Sequence, residues 1–304
     1  MSDRIVFQDA ARALRIGTGL ALASAALYGA NVPAARIASQ AGMPGADLIA
    51  WRAVWFLPLL ALLAFFARER LRLLPGEIGP TLRLAVSASL TAICYLSSVD
   101  HLPVPMAVVL FYMFPLFVIL LASRIERRRI SRVQMGVFAV AFAGLVIAVG
   151  PSLAGLSLKG VALALGAAIA SAFMFVVAGR VPNAPFRNAF WTQAVMGPLA
   201  FLFAWVQGGP VDPSKAIGLA PFAVALAMGA YALAYVLQLI AAQKISADRA
   251  GLLFLFEPVT AIALAGLVLG EVLTPLQTLG VALILAALAA EIRMGSRAAG
   301  TGPA

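Results

Sequence analysis

The chain contains few of the charged residues that a water-soluble protein needs at its surface. Charged residues make up 11% of its 304 positions and apolar residues 63%, whereas soluble domains are about a quarter charged and about half apolar. The sequence also has a single cysteine, Cys94, and a single histidine, His101, which excludes an internal disulfide and a histidine-rich metal site. So few charges could not cover a surface in water, and the composition therefore predicts a membrane protein.

Catalytic motifs are lacking as well. The sequence has no Walker loop, no His-Glu-x-x-His and no nucleophile–base pair in Gly-rich surroundings. Glu257 is the one acid deep inside an apolar stretch, so no second acid can form an aspartyl pair with it. We therefore expect no catalytic residue, no metal ion and no cofactor. A membrane-embedded enzyme, or a non-transporting sensor or scaffold, is the alternative from a different class.

The sequence does contain ten apolar stretches. Each is long enough, or nearly so, to cross about 30 Å of hydrocarbon as a helix. Their apolar residues run continuously and do not alternate with polar ones, which argues against a β-barrel. The predicted spans cover residues 16–37, 47–67, 84–100, 103–123, 134–150, 158–179, 188–206, 219–240, 250–269 and 275–292.

Cationic residues fall mainly on one side of these spans. Eighteen of the 22 Lys and Arg lie in the two tails and in the loops after the second, fourth, sixth and eighth spans. The other side has Arg36, Lys159 and Lys215, while Arg52 lies inside the second span, near enough to its outer end to snorkel. Short cationic loops stay in the cytoplasm, so both termini are predicted to be cytoplasmic, in a bacterial inner membrane. The net charge of +10 then fits contact with anionic lipid and does not require nucleic acid.

The two halves of the sequence repeat at a constant offset of 143 residues. Residues 107–115, AVVLFYMFP, align with residues 250–258, AGLLFLFEP. A repeat near the midpoint indicates a duplicated unit, here residues 1–152 and 153–304. Because each unit has five spans, the copies must have opposite orientations. The sequence thus predicts an all-α membrane protein of ten transmembrane helices in two inverted five-helix repeats, the usual architecture of secondary transporters.

Several motifs resemble those of the EamA-type members of the drug/metabolite transporter superfamily. They are Phe256-Glu257-Pro258, followed by Gly270-Glu271 and Gly280. Tyr112-x-x-Pro115 in the first half resembles the form found in the YddG-type aromatic amino-acid exporters of that superfamily. The resemblance covers essentially the whole chain and implies a ten-span transporter. The first half lacks Gly-Glu and has Glu126 between Ile and Arg, so the resemblance gives Glu126 no function.

The motif residues in the middle of the membrane admit two interpretations each. A carboxylate at the position of Glu257 costs at least a few kcal/mol unless it faces a cavity or a partner, or is protonated. It is therefore either a site for a substrate amine or a proton, or a protonated group that caps backbone atoms released by Pro258. Pro115 and Pro258 occupy matching positions, and each either acts as a hinge for alternating access or forms a static kink.

Polar and aromatic side chains share single faces of spans 1, 3 and 8. Their hydroxyl and amide groups need partners in hydrocarbon, so these faces are predicted to point inward. For any one residue a simple helix–helix hydrogen bond is the alternative. Tyr95 aligns with Gln238 at the repeat offset, which puts a polar group at equivalent depth in both copies. The predicted lining of a central cavity, bounded by spans 1, 3, 4, 6, 8 and 9, is Tyr28, Asn31, Tyr95, Ser98, Tyr112, Phe173, Tyr231, Tyr235, Gln238, Phe254 and Glu257.

This mixed polarity favours small zwitterionic substrates. We expect a secondary transporter that exports amino acids or related small amphipathic metabolites. An exporter of cationic drugs is the alternative, because Glu257 and the tyrosines would also suit a cation. Nucleotide sugars would need basic residues, and none of the predicted lining is basic. Ten duplicated spans enclose their own substrate path, so a monomer is sufficient for transport. The sequence leaves the oligomeric state open.

Overall fold

A computed structural model describes residues 2–99, 101–127, 129–150, 157–206, 208–269 and 272–300. Within these residues the chain folds into thirteen α-helices. Their bounds are α1 Ser2–Gln40, α2 Gly45–Phe66, α3 Pro75–Val99, α4 Val104–Phe111, α5 Phe114–Ile125, α6 Arg132–Val149, α7 Leu158–Ala178, α8 Pro185–Val206, α9 Ser214–Leu219, α10 Pro221–Ala242, α11 Ala247–Leu253, α12 Phe256–Leu269 and α13 Pro275–Gly300.

Ten helical segments in the described part of the chain are long and apolar enough to cross a membrane. Eight are single helices, while α4 with α5 and α11 with α12 each form one interrupted span, and α9 is a short helix in the loop before α10. Large apolar side chains such as Phe65, Phe66 and Phe222 are mostly exposed, as expected of surfaces that face lipid. The prediction of an all-α membrane protein with ten spans is confirmed.

The third span is longer than the sequence predicted. Its apolar part begins at residue 84, but the helix begins at Pro75, a residue whose missing N–H is tolerated in the first helical turn. Glu77 reinforces this start, because the Leu74 N–H donates a hydrogen bond to its Oε2 at 2.9 Å. The early turns are too polar for a hydropathy pattern to detect. The predicted end falls on Asp100, which lies outside the described residues.

Matching residues in the two halves start the fifth and the last spans. Before α6, the Gln134 N–H donates to the Ser131 hydroxyl at 3.3 Å. Before α13, the Gln277 N–H donates to Thr274 Oγ1 at 3.2 Å and the Thr274 N–H donates to Gln277 Oε1 at 2.9 Å. These are capping contacts, so the repeated Ser/Thr-x-x-Gln pattern has a structural cause at the start of each helix.

The most extensive helix contacts run between the two halves. The first span, α1, packs along the eighth, α10, in the way that the sixth, α7, packs along the third, α3. The second span packs on the seventh and the fifth on the tenth. Such reciprocal pairing is what two related five-span halves produce. The predicted boundary at residues 152 and 153 falls in the segment 151–156, outside the described residues, and stays a prediction.

Two glycines bring the fifth and tenth spans together. A Cβ on Gly144 would lie 2.7 Å from the Gly280 carbonyl oxygen, and one on Gly280 would lie 2.5 Å from the Gly144 carbonyl oxygen. Both neighbours are backbone atoms, which cannot move aside as a flexible side chain can. The Gly280 of the family-like motif therefore serves close helix packing. Gly270 and Glu271, from the same motif, lie outside the described residues.

Contacts among the cationic loops place them on one face of the molecule. Arg187 Nη1 lies 3.1 Å from Glu77 Oε2, and the Arg187 N–H donates to Glu69 Oε2 at 2.8 Å. Gln243 Nε2 donates to the Val181 carbonyl at 3.2 Å. The loops after the second, sixth and eighth spans are thus neighbours, which agrees with the charge distribution along the sequence.

Candidate functional site: the central cluster

Two spans are interrupted immediately before a proline in the middle of the bundle. α4 ends at Phe111, and α11 ends at Leu253. Pro115 and Pro258 have no N–H, so each deprives the carbonyl four residues earlier of its helical partner. Short-range bonds close both breaks: the Met113 N–H donates to the Leu110 carbonyl and the Leu255 N–H to the Leu252 carbonyl. The sequence repeat therefore appears in the structure as two broken helices at matching places.

The break in the second half puts Glu257 in the first turn of α12. The N-terminal turn of a helix has free N–H groups and a partial positive charge, which favour a carboxyl group. Glu257 and Tyr112, which come from the two broken helices, interact through their side chains. Tyr28 and Tyr95 also lie within electrostatic range of the Glu257 carboxyl. Three tyrosines and one acid therefore converge at the centre of the molecule.

Aromatic rings extend this group through the second half. The Tyr28 and Tyr231 ring centres lie 5.0 Å apart with an edge-to-face geometry. Tyr28 also packs on Phe254, at 6.0 Å, and Phe254 contacts Phe175 at 4.8 Å. The Tyr28 hydroxyl donates a hydrogen bond to Gln238 Oε1 at 3.0 Å. α1 of the first half is thus linked to α10 and α11 of the second.

The ring contacts continue into the first half. Phe175 stacks on Phe114 with ring centres 5.2 Å apart, and Phe114 packs on Phe111 at 5.5 Å. Phe111 in turn contacts Tyr95 at 4.9 Å and Tyr112 at 5.4 Å. An unbroken series of rings therefore joins both halves. We call the following residues the central cluster: Tyr28, Tyr95, Phe111, Tyr112, Phe114, Phe175, Tyr231, Gln238, Phe254 and Glu257.

Arg52 borders the central cluster. Its side chain is 4% exposed, so the predicted snorkelling to the outer surface is wrong. The guanidinium carbon lies 3.4 Å from the centre of the Tyr231 ring, and Nη2 donates weakly to Met196 Sδ at 3.7 Å. Nε has no hydrogen-bond partner among the described residues. The ring contact stabilises the cation by about 2 kcal/mol, whereas an unpaired buried charge costs several kcal/mol.

Other predicted lining residues lie at the edge of the cluster. Tyr235 lies within electrostatic range of Tyr231, and its hydroxyl donates to Thr192 Oγ1 at 3.0 Å. This is a simple helix–helix hydrogen bond, the alternative to a role in the cavity lining. Ser98 donates to the Tyr95 carbonyl of its own helix at 2.7 Å. Asn31 is partly exposed, one turn beyond Tyr28 in α1.

Phe173 lies away from the cluster. It is 48% exposed and lines an outward-facing groove of about 250 Å³ together with Phe117 and Arg124. The inward ring of this helix is Phe175, which is 3% exposed. The structure therefore does not support Phe173 as part of the lining.

Sequence reasoning missed Arg52, Phe111, Phe114 and Phe175. A signal existed for Arg52, because a charged residue inside a predicted span is a functional hypothesis by default. Phe111 and Phe114 flank the Tyr112 of the family-like motif, and their proximity to it was a weaker signal. Among the described residues, no group of three His, Cys, Asp or Glu side chains is arranged to hold a metal ion.

These features define the class to which the molecule belongs: multi-pass membrane proteins with two five-span halves and polar groups between them. The sequence profile of the EamA-like transporter family matches residues 15–150 and again residues 158–290. The chain belongs to the EamA-like transporter family and is therefore a membrane-embedded transporter of small molecules.

Individual relatives agree with this assignment. The chain is 30% identical over 271 residues to the threonine/homoserine exporter RhtA of Escherichia coli strain K12, with 88% of each chain covered. It is 31% identical over 231 residues to the same-named exporter of Salmonella typhimurium strain LT2, covering 75% of this chain and 76% of the relative. It is 29% identical over 241 residues to an uncharacterised transporter of Archaeoglobus fulgidus, with 76% and 81% covered.

One solved crystal structure of a protein has the same fold. It superposes with a TM-score of 0.74 at 20% sequence identity, and the match covers 92% of this chain and 97% of the other. At this level of identity the likeness concerns the fold alone.

Proposed function

We propose that the chain exports amino acids or related small amphipathic metabolites by alternating access. The observation that carries this proposal is the central cluster, in which Tyr112 contacts the Glu257 side chain and Tyr28 and Tyr95 lie within electrostatic range of it. A carboxylate can bind an ammonium group, hydroxyls can bind polar substituents, and the rings can pack on an apolar side chain. The relationship to a threonine/homoserine exporter supports the same substrate class.

The breaks before Pro115 and Pro258 supply flexibility in this proposal. Discontinuous helices at the middle of the membrane are typical of substrate sites in transporters built from inverted repeats. Both breaks border the central cluster, so a change of angle there would alter which side of the cluster is accessible. We propose that the chain lies in the inner membrane with both termini in the cytoplasm, as the positions of the cationic loops predict.

Purified full-length protein in liposomes tests the substrate class. We expect uptake of labelled threonine, homoserine or phenylalanine to exceed that of protein-free liposomes, with and without an imposed pH gradient. Glu257→Gln should lower transport per inserted molecule at least tenfold or remove its pH dependence. Glu126→Gln is the matched control, because Glu126 lies at the exposed end of α5 and its loss should leave transport unchanged.

The competing substrate class gives a different result in the same assay. Glu257 and the rings of the cluster would also suit an organic cation such as ethidium. Transport of ethidium without transport of any amino acid would replace the proposal by a cationic-drug exporter. If Glu257→Gln transports amino acids normally at every pH, the acid serves folding only, and the substrate amine binds elsewhere.

A further inference from the structure

Three arginines are buried in the described part of the chain, and they differ in their surroundings. Arg187 forms an ion pair with Glu77, and Arg249 lies within electrostatic range of Glu291 and Asp248. Arg52, which is 4% exposed, has no acidic side chain of the described residues close enough for an ion pair. Two of the three thus have the acidic neighbours that buried charges normally require, and Arg52 is the exception.

The orientation of Arg52 leaves hydrogen-bond donors free. The guanidinium carbon lies 3.4 Å from the centre of the Tyr231 ring, and Tyr231 also forms a side-chain hydrogen bond with the guanidinium, which leaves its other N–H groups for further partners. Nη2 is directed to the Met196 sulfur, which is a weak acceptor, and Nε has no partner among the described residues. A guanidinium held in this way is preorganised to receive a planar anion with two oxygens.

We propose that Arg52 binds the carboxylate of the transported molecule and that Tyr231 holds the guanidinium in place for it. This inference rests on the proposed function. It adds to that function the chemical group of the substrate that Arg52 recognises, beside the ammonium group assigned to Glu257. A carboxylate is the fitting partner because it is planar, anionic and able to accept two parallel N–H bonds. While bound, it would compensate a buried cation for which the described residues provide no acidic partner.

The position of Arg52 relative to Glu257 gives the substrate a direction. Tyr28 lies within electrostatic range of both groups, and it contacts Tyr231 with ring centres 5.0 Å apart. The carboxylate would therefore lie on the α2 side of Tyr28, while the ammonium group would lie toward α12. Organic cations that lack an acid group would meet an uncompensated positive charge at Arg52, so this residue selects zwitterions against them.

Binding of an amino acid and its carboxamide tests the assignment. Threonine and threoninamide differ in the carboxylate but share the ammonium group and side chain. We expect calorimetry on the purified wild type to give at least tenfold tighter binding for threonine, or about 1.4 kcal/mol. If phenylalanine is the faster substrate in liposomes, it and phenylalaninamide replace this pair.

Substitution of Arg52 locates the effect. Arg52→Gln should weaken threonine binding at least tenfold while changing threoninamide binding less than twofold. Arg52→Lys should also weaken threonine binding, because lysine keeps the charge but loses the planar fork. Arg83→Gln is the matched control: it removes an exposed arginine in the third turn of α3 and should alter neither affinity.

Two results would overturn the inference while leaving the proposed function intact. One is equal binding of threonine and threoninamide by a wild type that transports amino acids, which needs no variant to fold. The other is an Arg52→Gln protein that loses both ligands equally or loses neither. A wild type that neither binds nor transports any amino acid would contradict the proposed function itself.

Discussion

The hydrogen bond between Tyr28 and Gln238 joins residues 210 positions apart, one in each half of the chain. Gln238 is 3% exposed, so its amide depends on partners inside the protein. A second bond lies one turn away on the same two helices, where the Ser24 hydroxyl donates to the Ala234 carbonyl at 2.6 Å. The two bonds connect the same helices, but only the first belongs to the central cluster.

Substitutions at these two bonds distinguish a contact needed for transport, Tyr28–Gln238, from a contact that only packs the helices, Ser24–Ala234. We expect Gln238→Ala to change the transport rate or the substrate preference more than tenfold, because it removes the partner that orients Tyr28 in the cluster. Tyr95→Ala, at the matching place in the other repeat, should have a similar effect. Ser24→Ala should lower stability by about 1 kcal/mol and leave transport per inserted molecule unchanged. Liposome transport and thermal unfolding of each variant measure the two quantities.

Normal transport by both Gln238→Ala and Tyr95→Ala would mean that the substrate path lies elsewhere. A loss of transport in Ser24→Ala as large as that in Gln238→Ala would show that any weakening of the α1–α10 contact is sufficient. In that case the Tyr28–Gln238 bond would have no role beyond joining the helices.

At the scale of helices, the crossing of α1 over α12 depends on a glycine. A Cβ on Gly29 would overlap the Thr260 hydroxyl and lie 2.6 Å from the Glu257 carbonyl oxygen. The second of these is backbone of the first turn of α12, the turn that positions the Glu257 side chain. Close approach at Gly29 therefore fixes how the acid faces the centre.

Gly29→Ala should consequently push α1 away from α12. We expect a fall of several degrees in the unfolding temperature and a loss of transport of more than tenfold, because both the packing and the position of Glu257 change. Gly19→Ala in the same helix is the control, since a Cβ there meets no atom within 4 Å. It should gain about 1 kcal/mol of helix propensity and transport normally. Wild-type stability and transport in Gly29→Ala would show that α1 can shift without effect on the site.

At the scale of the whole molecule, the two halves are held together at both ends. On the face with the cationic loops, the buried Arg187 contacts Glu77 and Glu69. On the opposite face, the Val211 N–H donates to Asp47 Oδ1 at 2.8 Å, and Trp51 Nε1 donates to the Val211 carbonyl at 3.0 Å. Alternating access would have to break one set of contacts while keeping the other, which makes these contacts the candidates for the two gates.

The orientation of the molecule can be tested by cysteine labelling in intact cells. In a Cys94→Ser background, single cysteines at the exposed positions Ser39 and Ser214 should react with a membrane-impermeant maleimide. A cysteine at Arg129, in the cationic loop after α5, should react only after permeabilisation. Labelling of position 129 in intact cells would reverse the proposed orientation, and the permeabilised sample confirms that each position is reactive.

The sequence alone determined the environment, the number of spans and the duplication. These properties follow from local composition: a stretch of apolar residues must be helical in lipid because every backbone group needs an internal partner. The repeat at an offset of 143 residues likewise predicted two matching proline positions, and the structure has a helix break before each of them. The inward direction of Tyr28 and Gln238 could also be predicted, because their polar groups cannot face hydrocarbon at low cost.

Tertiary structure decided the rotation of each helix about its axis and the partner of each buried group. Hydropathy indicated that α7 lies in the membrane, but packing against α3 and α5 set Phe175 inward and Phe173 outward. Tertiary packing likewise placed the Arg52 side chain against Tyr231, although a charged side chain near the end of a span can also extend outward to the membrane surface. These outcomes depend on side chains far away in the sequence, because a buried cation or ring is stabilised only by the particular groups that the fold places around it.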